Sequence, residues 1–198
     1  MTHALSITKE EIALMPTEEY KGRIIVIDQK KDANLAIEYL SEHIKVGFDT
    51  ETRPSFKKGQ LFKIALMQIA TEDVCFLFRL NKIGIPPSLE AFLSDDSILK
   101  IGLSLRDDFG AVRKRTNAEL SNFLDLQDYV GRFGITDASL QKIYAILFRK
   151  KISKGQRLTN WEADMLSESQ KKYAALDAGA CLVIYNQLNN ELQSCSET

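Results

Sequence analysis

Apolar and polar residues alternate with two different periods along the chain, and the switches between them mark out its elements. Arg23–Ile27 (RIIVI) is short, β-branched and reads as a strand. Ala33, Ala36, Ile37 and Leu40 recur at helical spacing within residues 32–43. Three strand-like runs follow, Lys45–Thr50, Phe62–Ala70 and Val74–Leu80, and Thr71–Asp73 is a connection tight enough for a hairpin. Pro86 and Pro87 open a helix over Ser88–Leu93, and Leu99–Leu103 is a strand. A helix over Arg106–Lys114, a short strand over Asn122–Leu126 and helices filling 138–149 and 168–192 complete the core. Ahead of it, residues 7–20 read as an amphipathic arm with a turn near Pro16. Strands first and helices interleaved later predict an α/β fold with a mixed sheet. No repeat, low-complexity tract or Pro/Gly/Ser-rich linker divides the chain, so one domain over 1–198 is expected, with an arm (1–22) and a core (23–192).

Composition narrows the class. The 198 residues are 44% hydrophobic and carry 26 Lys and Arg against 27 Asp and Glu, a net charge of −1. A chain of this size buries roughly 70% of the surface its unfolded form exposes, and disorder is not expected. No apolar run is longer than that of Ala180–Tyr185, far short of the ~18 residues of a membrane span. The start, MTHALSITKEEIALMPTEEY, lacks the basic-then-apolar layout of a secretory signal. Cys75, Cys181 and Cys195 are odd in number and widely spaced, so reduced thiols and a cytoplasmic location are expected rather than disulfides or a Cys-based zinc site. His3 and His43 are the only histidines, which leaves Ser-His-Asp and Cys-His mechanisms poorly supplied. Near-neutral charge argues against a strongly basic nucleic-acid binder while leaving room for a local basic patch. Any chemistry falls to carboxylates.

Three places offer them. In VGFDTET, Asp49 and Glu51 alternate along a strand and so project side by side, where a divalent cation with oxygen ligands, Mg²⁺ or Mn²⁺, would relieve their repulsion. Taken alone, the pair also fits a polar strand end running into solvent. Asp107 and Asp108 follow the apolar strand KIGLSL at a strand-to-helix junction, where an acid equally serves the helix macrodipole. Tyr173 and Asp177 stand four apart on one face of an apolar helix, and a buried carboxylate there needs a partner, either a metal or the tyrosine.

In combination the signals are specific. The order D-x-E, a second Asp further on, then Y-x-x-x-D resembles the DEDD-type 3′–5′ exonucleases of the tyrosine-containing subgroup, the ribonuclease D family, and within it the Werner-type branch. The resemblance is carried by VGFDTETRPSF, KIALMQIAT, VCFLF, KIGLSLRDDFGAV and LTNWEADMLSESQKKYAALDAGACLVIY, which together span about Arg23–Tyr185. It implies a ribonuclease H-like fold, a mixed five-stranded sheet flanked by helices. It implies two divalent ions, Mg²⁺ or Mn²⁺, with Asp49 bridging them. Glu51 and Asp177 would complete one site, Asp108 would support the second through water, and Tyr173 would orient the attacking water. The histidine subgroup carries its histidine five residues before the last Asp, where this chain has Lys172. Three departures stand out: Arg53 where an aromatic residue is frequent, Ser104 where glycine is frequent, and Asp107 beside Asp108. The spacing to Gly102 and the apolar residue that follows favour Asp108.

One feature owes nothing to the family. FRKKISKGQR holds Arg149, Lys150, Lys151, Lys154 and Arg157 with no acid among them. These cations read either as a solvated loop or as a phosphate-tracking rim, with Lys57, Lys58 and Lys63 as an opposite rim. The expected function is metal-dependent 3′–5′ hydrolysis of DNA or RNA from its 3′ end. The alternative is an inactive nucleic-acid-binding module, against which stand four intact acids and Tyr173. No membrane and no obligate protein partner are indicated. With no HRDC-type or helicase region, targeting is expected to come from this domain or from a partner.

Overall fold

The computed structural model describes residues 3–55 and 62–196, with side chains to residue 194; the expectations for Lys57, Lys58 and the Cys195 thiol lie outside them. Cys75 and Cys181 are free and buried. The elements run α1 (Lys9–Ala13), β1 (Arg23–Ile27), α2 (Lys30–Ser41), β2 (Lys45–Thr52), β3 (Ile64–Ala70) and β4 (Val74–Phe78). Then come α3 (Leu80–Ile83), α4 (Pro87–Ser94), β5 (Leu99–Gly102), α5 (Leu105–Val112) and β6 (Phe123–Asp125). After α6 (Leu126–Val130) and a 3₁₀ turn, Gly131–Phe133, the chain closes with α7 (Leu140–Phe148) and α8 (Glu168–Ser196).

The strands form one sheet in the order β1-β4-β3-β2-β5-β6, in which β3 alone runs against the others. The mixed sheet is as expected, but it has six strands rather than five. Strand β1, one of the six strand-like runs already legible in the sequence, pairs parallel along the outer edge of β4 from Arg23 opposite Val74 to Ile27 opposite Phe78. Both ends are clipped, Arg23 N–H to the Asp73 carbonyl and Arg79 N–H to that of Ile27, each at 2.8 Å. The addition covers a sheet edge that would otherwise be open.

The central strands β3 and β4 are buried on both faces, as their continuous apolar runs require. One face carries α2, α4 and α5 over Val46, Phe48, Met67 and Phe76. The other carries α1, α6, α7 and α8 in two adjoining clusters, one around Ile101 and Ile143, the other around Cys75, Leu77 and Trp161. The arm is part of this packing: Ile7 and Ile12 are buried, and α1 starts at a capping box between Thr8 and Glu11. Strands β2, β5 and β6 run parallel; β5 and β6 end level with each other while β2 runs on past them to Thr52, and the C-terminal ends of such strands are where α/β sheets commonly hold their ligands. Among the described residues no helix is long and apolar enough to cross a membrane.

Candidate active site

Gly47, Asp49 and Glu51 alternate along β2 and face α8. A Cβ on Gly47 would lie 2.0 Å from the Ala178 carbonyl oxygen, so strand and helix touch backbone to backbone there. The contact brings Asp177 over the strand, and carboxylate oxygens of Asp49, Glu51 and Asp177 lie within 4.8 Å of one another. One turn earlier on α8, the Tyr173 hydroxyl donates to Asp177. The Tyr173 ring rests on the fully buried Trp161, with centroids 6.1 Å apart.

Asp108 reaches the same end from the opposite face. The β5–α5 turn passes through Ser104 at φ 61, a left-handed conformation that glycine adopts without strain. Asp125 pins this turn by accepting from the Ser104 N–H (2.9 Å) and the Leu105 N–H (2.8 Å). The first turn of α5 then leaves Asp107 exposed and carries Asp108 to the Thr50 hydroxyl, which donates to it. Of the two adjacent acids, Asp108 is the one beside β2. Thr50 was missed in the sequence, although a hydroxyl between the two acids of D-T-E was its visible signal.

The electrostatics follow from burial and crowding. Asp49 is held well above the carboxylate range, first by burial and then by the charges of Asp177, Glu51 and Asp108. Burial, with Asp177 and Asp108, pushes Glu51 up to about 9. Burial raises Asp177 to about 7 against the opposing Tyr173 hydrogen bond and Lys154 charge. Asp108 rises to about 6, mainly by burial, although the Thr50 hydroxyl opposes it. Burial and the neighbouring acids also raise Tyr173, so its hydroxyl remains a donor. The arrangement must hold protons or take up a cation, and an all-oxygen donor set suits a hard divalent ion.

The segment before α8 is fixed by a capping box. Ser167 Oγ accepts from the Gln170 N–H (3.2 Å) while Gln170 Oε1 accepts from the Ser167 N–H (3.0 Å). The other end of the Gln170 amide ties back to Thr159 Oγ1 and the Asn160 carbonyl, which explains the NW…LS..Q spacing. Arg53 pairs with Glu162 at 3.4 Å and lies over the Phe62 ring, so it braces the same segment against the end of β2.

The basic run divides in two. Lys154 and Arg157 line a cleft of about 290 Å³ together with Ser104, Gln127, Gln141, Tyr173 and Asp177. Lys150 and Lys151 turn to the arm instead: Lys150 pairs with Glu18 at 2.8 Å, and Lys151 Nζ donates to the Ala13 carbonyl at 2.8 Å. Arg149 caps α7 in a left-handed conformation, and Lys63 is exposed ahead of β3. Lys172 is exposed, although its neighbour Tyr173 belongs to the cluster.

A family model described as 3′–5′ exonuclease matches residues 24–193. The chain is 30% identical over 186 residues to the mouse bifunctional 3′–5′ exonuclease/ATP-dependent helicase WRN, a match covering 89% of this chain and 13% of that protein. It is 32% identical over 173 residues to an Arabidopsis thaliana 3′–5′ exonuclease, covering 84% of this chain and 58% of the relative. Among solved structures, the Aedes aegypti Nibbler EXO domain superposes with a TM-score of 0.80 at 22% identity, over 90% of this chain and 94% of that one. Trypanosoma brucei RNase D in complex with RNA U12 gives 0.74 at 21% identity, over 85% and 63% of the two chains.

Proposed function

The chain belongs to the 3′–5′ exonuclease family, and from that premise we propose that it hydrolyses the phosphodiester bond at the 3′ end of DNA or RNA with two divalent ions, Mg²⁺ or Mn²⁺. The observation that carries this reading is the Asp49–Glu51–Asp177 cluster, with oxygens within 4.8 Å and pKa values driven upward by burial despite the charges of Lys154 and Arg157. Asp49 would bridge the ions, Glu51 and Asp177 would complete one site, and Asp108, steadied by Thr50, would support the second through water. Bound there, the ions would lower the pKa of the attacking water and neutralise charge on the attacking and leaving oxygens.

The chain's own groups do the rest. The Tyr173 hydroxyl keeps its proton at neutral pH and so acts as an orienting donor, with the ring held by Trp161. Lys154 and Arg157 would bind substrate phosphates along the cleft, where the Ser104, Gln127 and Gln141 side chains supply neutral polar contacts. Lys150 and Lys151, engaged by the arm, would act on the substrate only through their longer-range field. These groups address phosphate and metal rather than the 2′-hydroxyl, and both DNA and RNA are therefore proposed.

Matched 3′-labelled and 5′-labelled DNA and RNA oligonucleotides, digested with Mg²⁺ or Mn²⁺, test the reading. The expected result is stepwise loss from the 3′ end, stopped by EDTA and abolished by Asp49→Ala. Tyr173→Phe should keep metal binding and lower turnover by roughly 10²-fold, the scale of a positioned proton-handling group. A parent protein that binds the oligonucleotides but leaves them intact under every metal would establish the inactive binding module instead.

A further inference from the structure

Strand β3 reads IALMQIA, and all seven residues are buried. Gln68 is the only polar side chain among them and is wholly inaccessible, yet neither end of its carboxamide has a hydrogen-bond partner among the described residues. Leaving a buried donor and acceptor unpaired is costly, and such groups in native proteins call for an explanation. The sheet register supplies one. Gln68 lies directly opposite Asp49 in the antiparallel β2–β3 pair. Opposed residues share a face with Cβ atoms about 4.5–5.5 Å apart, within reach of a glutamine amide. On that face its nearest other neighbours are apolar, Leu66 and Ala70 along the strand and Leu77 across on β4, with Glu51, opposite Leu66, one step further along the diagonal. The helix packed above contributes Ala174, Ala175 and Ala178 to the same cluster.

We propose that Gln68 is a positioning residue for Asp49: when the divalent ions bind, its amide, unpaired without them, donates its N–H to the Asp49 carboxylate and fixes the orientation in which that carboxylate holds the ions. The inference rests on the metal-dependent reading. It gives the amide its missing partner and makes the one polar residue of β3 a support for the acid placed to serve both ions. Supporting bonds of this kind change metal affinity by 10- to 100-fold when removed. The competing use of the amide is structural, since the indole Nε1 of Trp161, in the same cluster, is also unpaired.

The test is Gln68→Met in the full chain, with Mn²⁺ affinity measured by calorimetry without substrate and the thermal midpoint measured in EDTA. Positioning requires a loss of Mn²⁺ affinity of about tenfold or more. The midpoint should be kept or raised, because an unpaired polar group has given way to an apolar one of similar length; kcat should fall with KM largely kept. Mn²⁺ affinity within twofold of the parent, while Asp49→Asn abolishes binding, overturns the inference and leaves the metal reading standing. A parent that takes up no Mn²⁺ overturns both. If Gln68→Met does not fold, ¹⁵N-glutamine-labelled parent decides. The Gln68 amide resonance should shift on Mg²⁺ addition, and an unmoved resonance overturns the proposal.

Discussion

Glu51, Asp177 and Asp108 are ordinary carboxylates made reluctant to ionise by where they stand. Their folded pKa values of about 9, 7 and 6 exceed those of unfolded carboxylates, about 4. The sign follows: the folded state binds more protons than the unfolded one, so these groups add stability below pH 4 that is lost as pH rises through 6, 7 and 9. In EDTA the thermal midpoint should therefore fall steadily between pH 5 and pH 9. Excess Mg²⁺ or Mn²⁺ should reverse the trend, because ionised acids bind the ion more tightly, and the metal-induced rise in midpoint should grow with pH. Thermal scans at five pH values with and without metal check both slopes; a metal effect that does not vary with pH would detach these acids from ion binding. Two of the acids were legible in the sequence because they break an apolar context: Asp49 follows the apolar run of its strand and Asp177 interrupts an apolar helix. Gln68 was not, because an amide in a strand becomes informative only when its partner, or lack of one, is seen, and Thr50 offered only its place between Asp49 and Glu51.

The position of α8 over β2 rests on one missing methyl group. A Cβ on Gly47 would meet the Ala178 carbonyl oxygen at 2.0 Å, a backbone atom that cannot rotate away. Gly47→Ala must therefore push strand and helix apart next to Asp49 and Asp177. The expected outcome is a stability loss of about 1–3 kcal/mol, as for other overpacked sites, together with a large loss of Mn²⁺ affinity. Gly110→Ala, in α5 where a Cβ meets nothing within 4 Å, should instead gain up to about 1 kcal/mol. Urea unfolding and metal titration of the two variants separate the cases, and unchanged Mn²⁺ affinity in Gly47→Ala would show that the helix seat does not set the site. Periodicity revealed the longer elements to within a few residues, including the Thr71–Asp73 hairpin connection and α8. It missed α3 and α6, which have four and five residues. At that length no periodic pattern exists; α6 is started by Asp125, whose carboxylate accepts from the Gln127 N–H.

At the scale of the whole molecule the arm and the active site share one segment of chain. Residues 149–152 are held from the arm side: Lys151 N–H donates to the Pro16 carbonyl and Glu18 N–H to that of Lys151, both at 2.9 Å. Glu18 also accepts from the Tyr144 hydroxyl at 3.0 Å and from Lys150. A few residues further, Lys154 and Arg157 line the cleft beside Asp177, and their charges ease the crowding of Asp177 and Glu51. A run of five cations that looks uniform in sequence is thus divided between the arm and the cleft, a division that side-chain direction alone makes visible. Lys154→Ala/Arg157→Ala should raise KM on single-stranded substrate for all sequences alike. It should reduce the log–log salt slope by about 0.7 for each substrate phosphate left without its cation, with kcat nearly kept because ground and transition states are held equally. Lys150→Ala/Lys151→Ala should leave that slope close to the parent's and cost roughly 1 kcal/mol of stability, since the partner Glu18 loses its ion pair. Salt-dependent kinetics and urea unfolding of both double variants measure the division. If the Lys150/Lys151 variant lost as much salt dependence as the Lys154/Arg157 variant, the whole segment would be a substrate rim, and the arm would have to release it when nucleic acid binds.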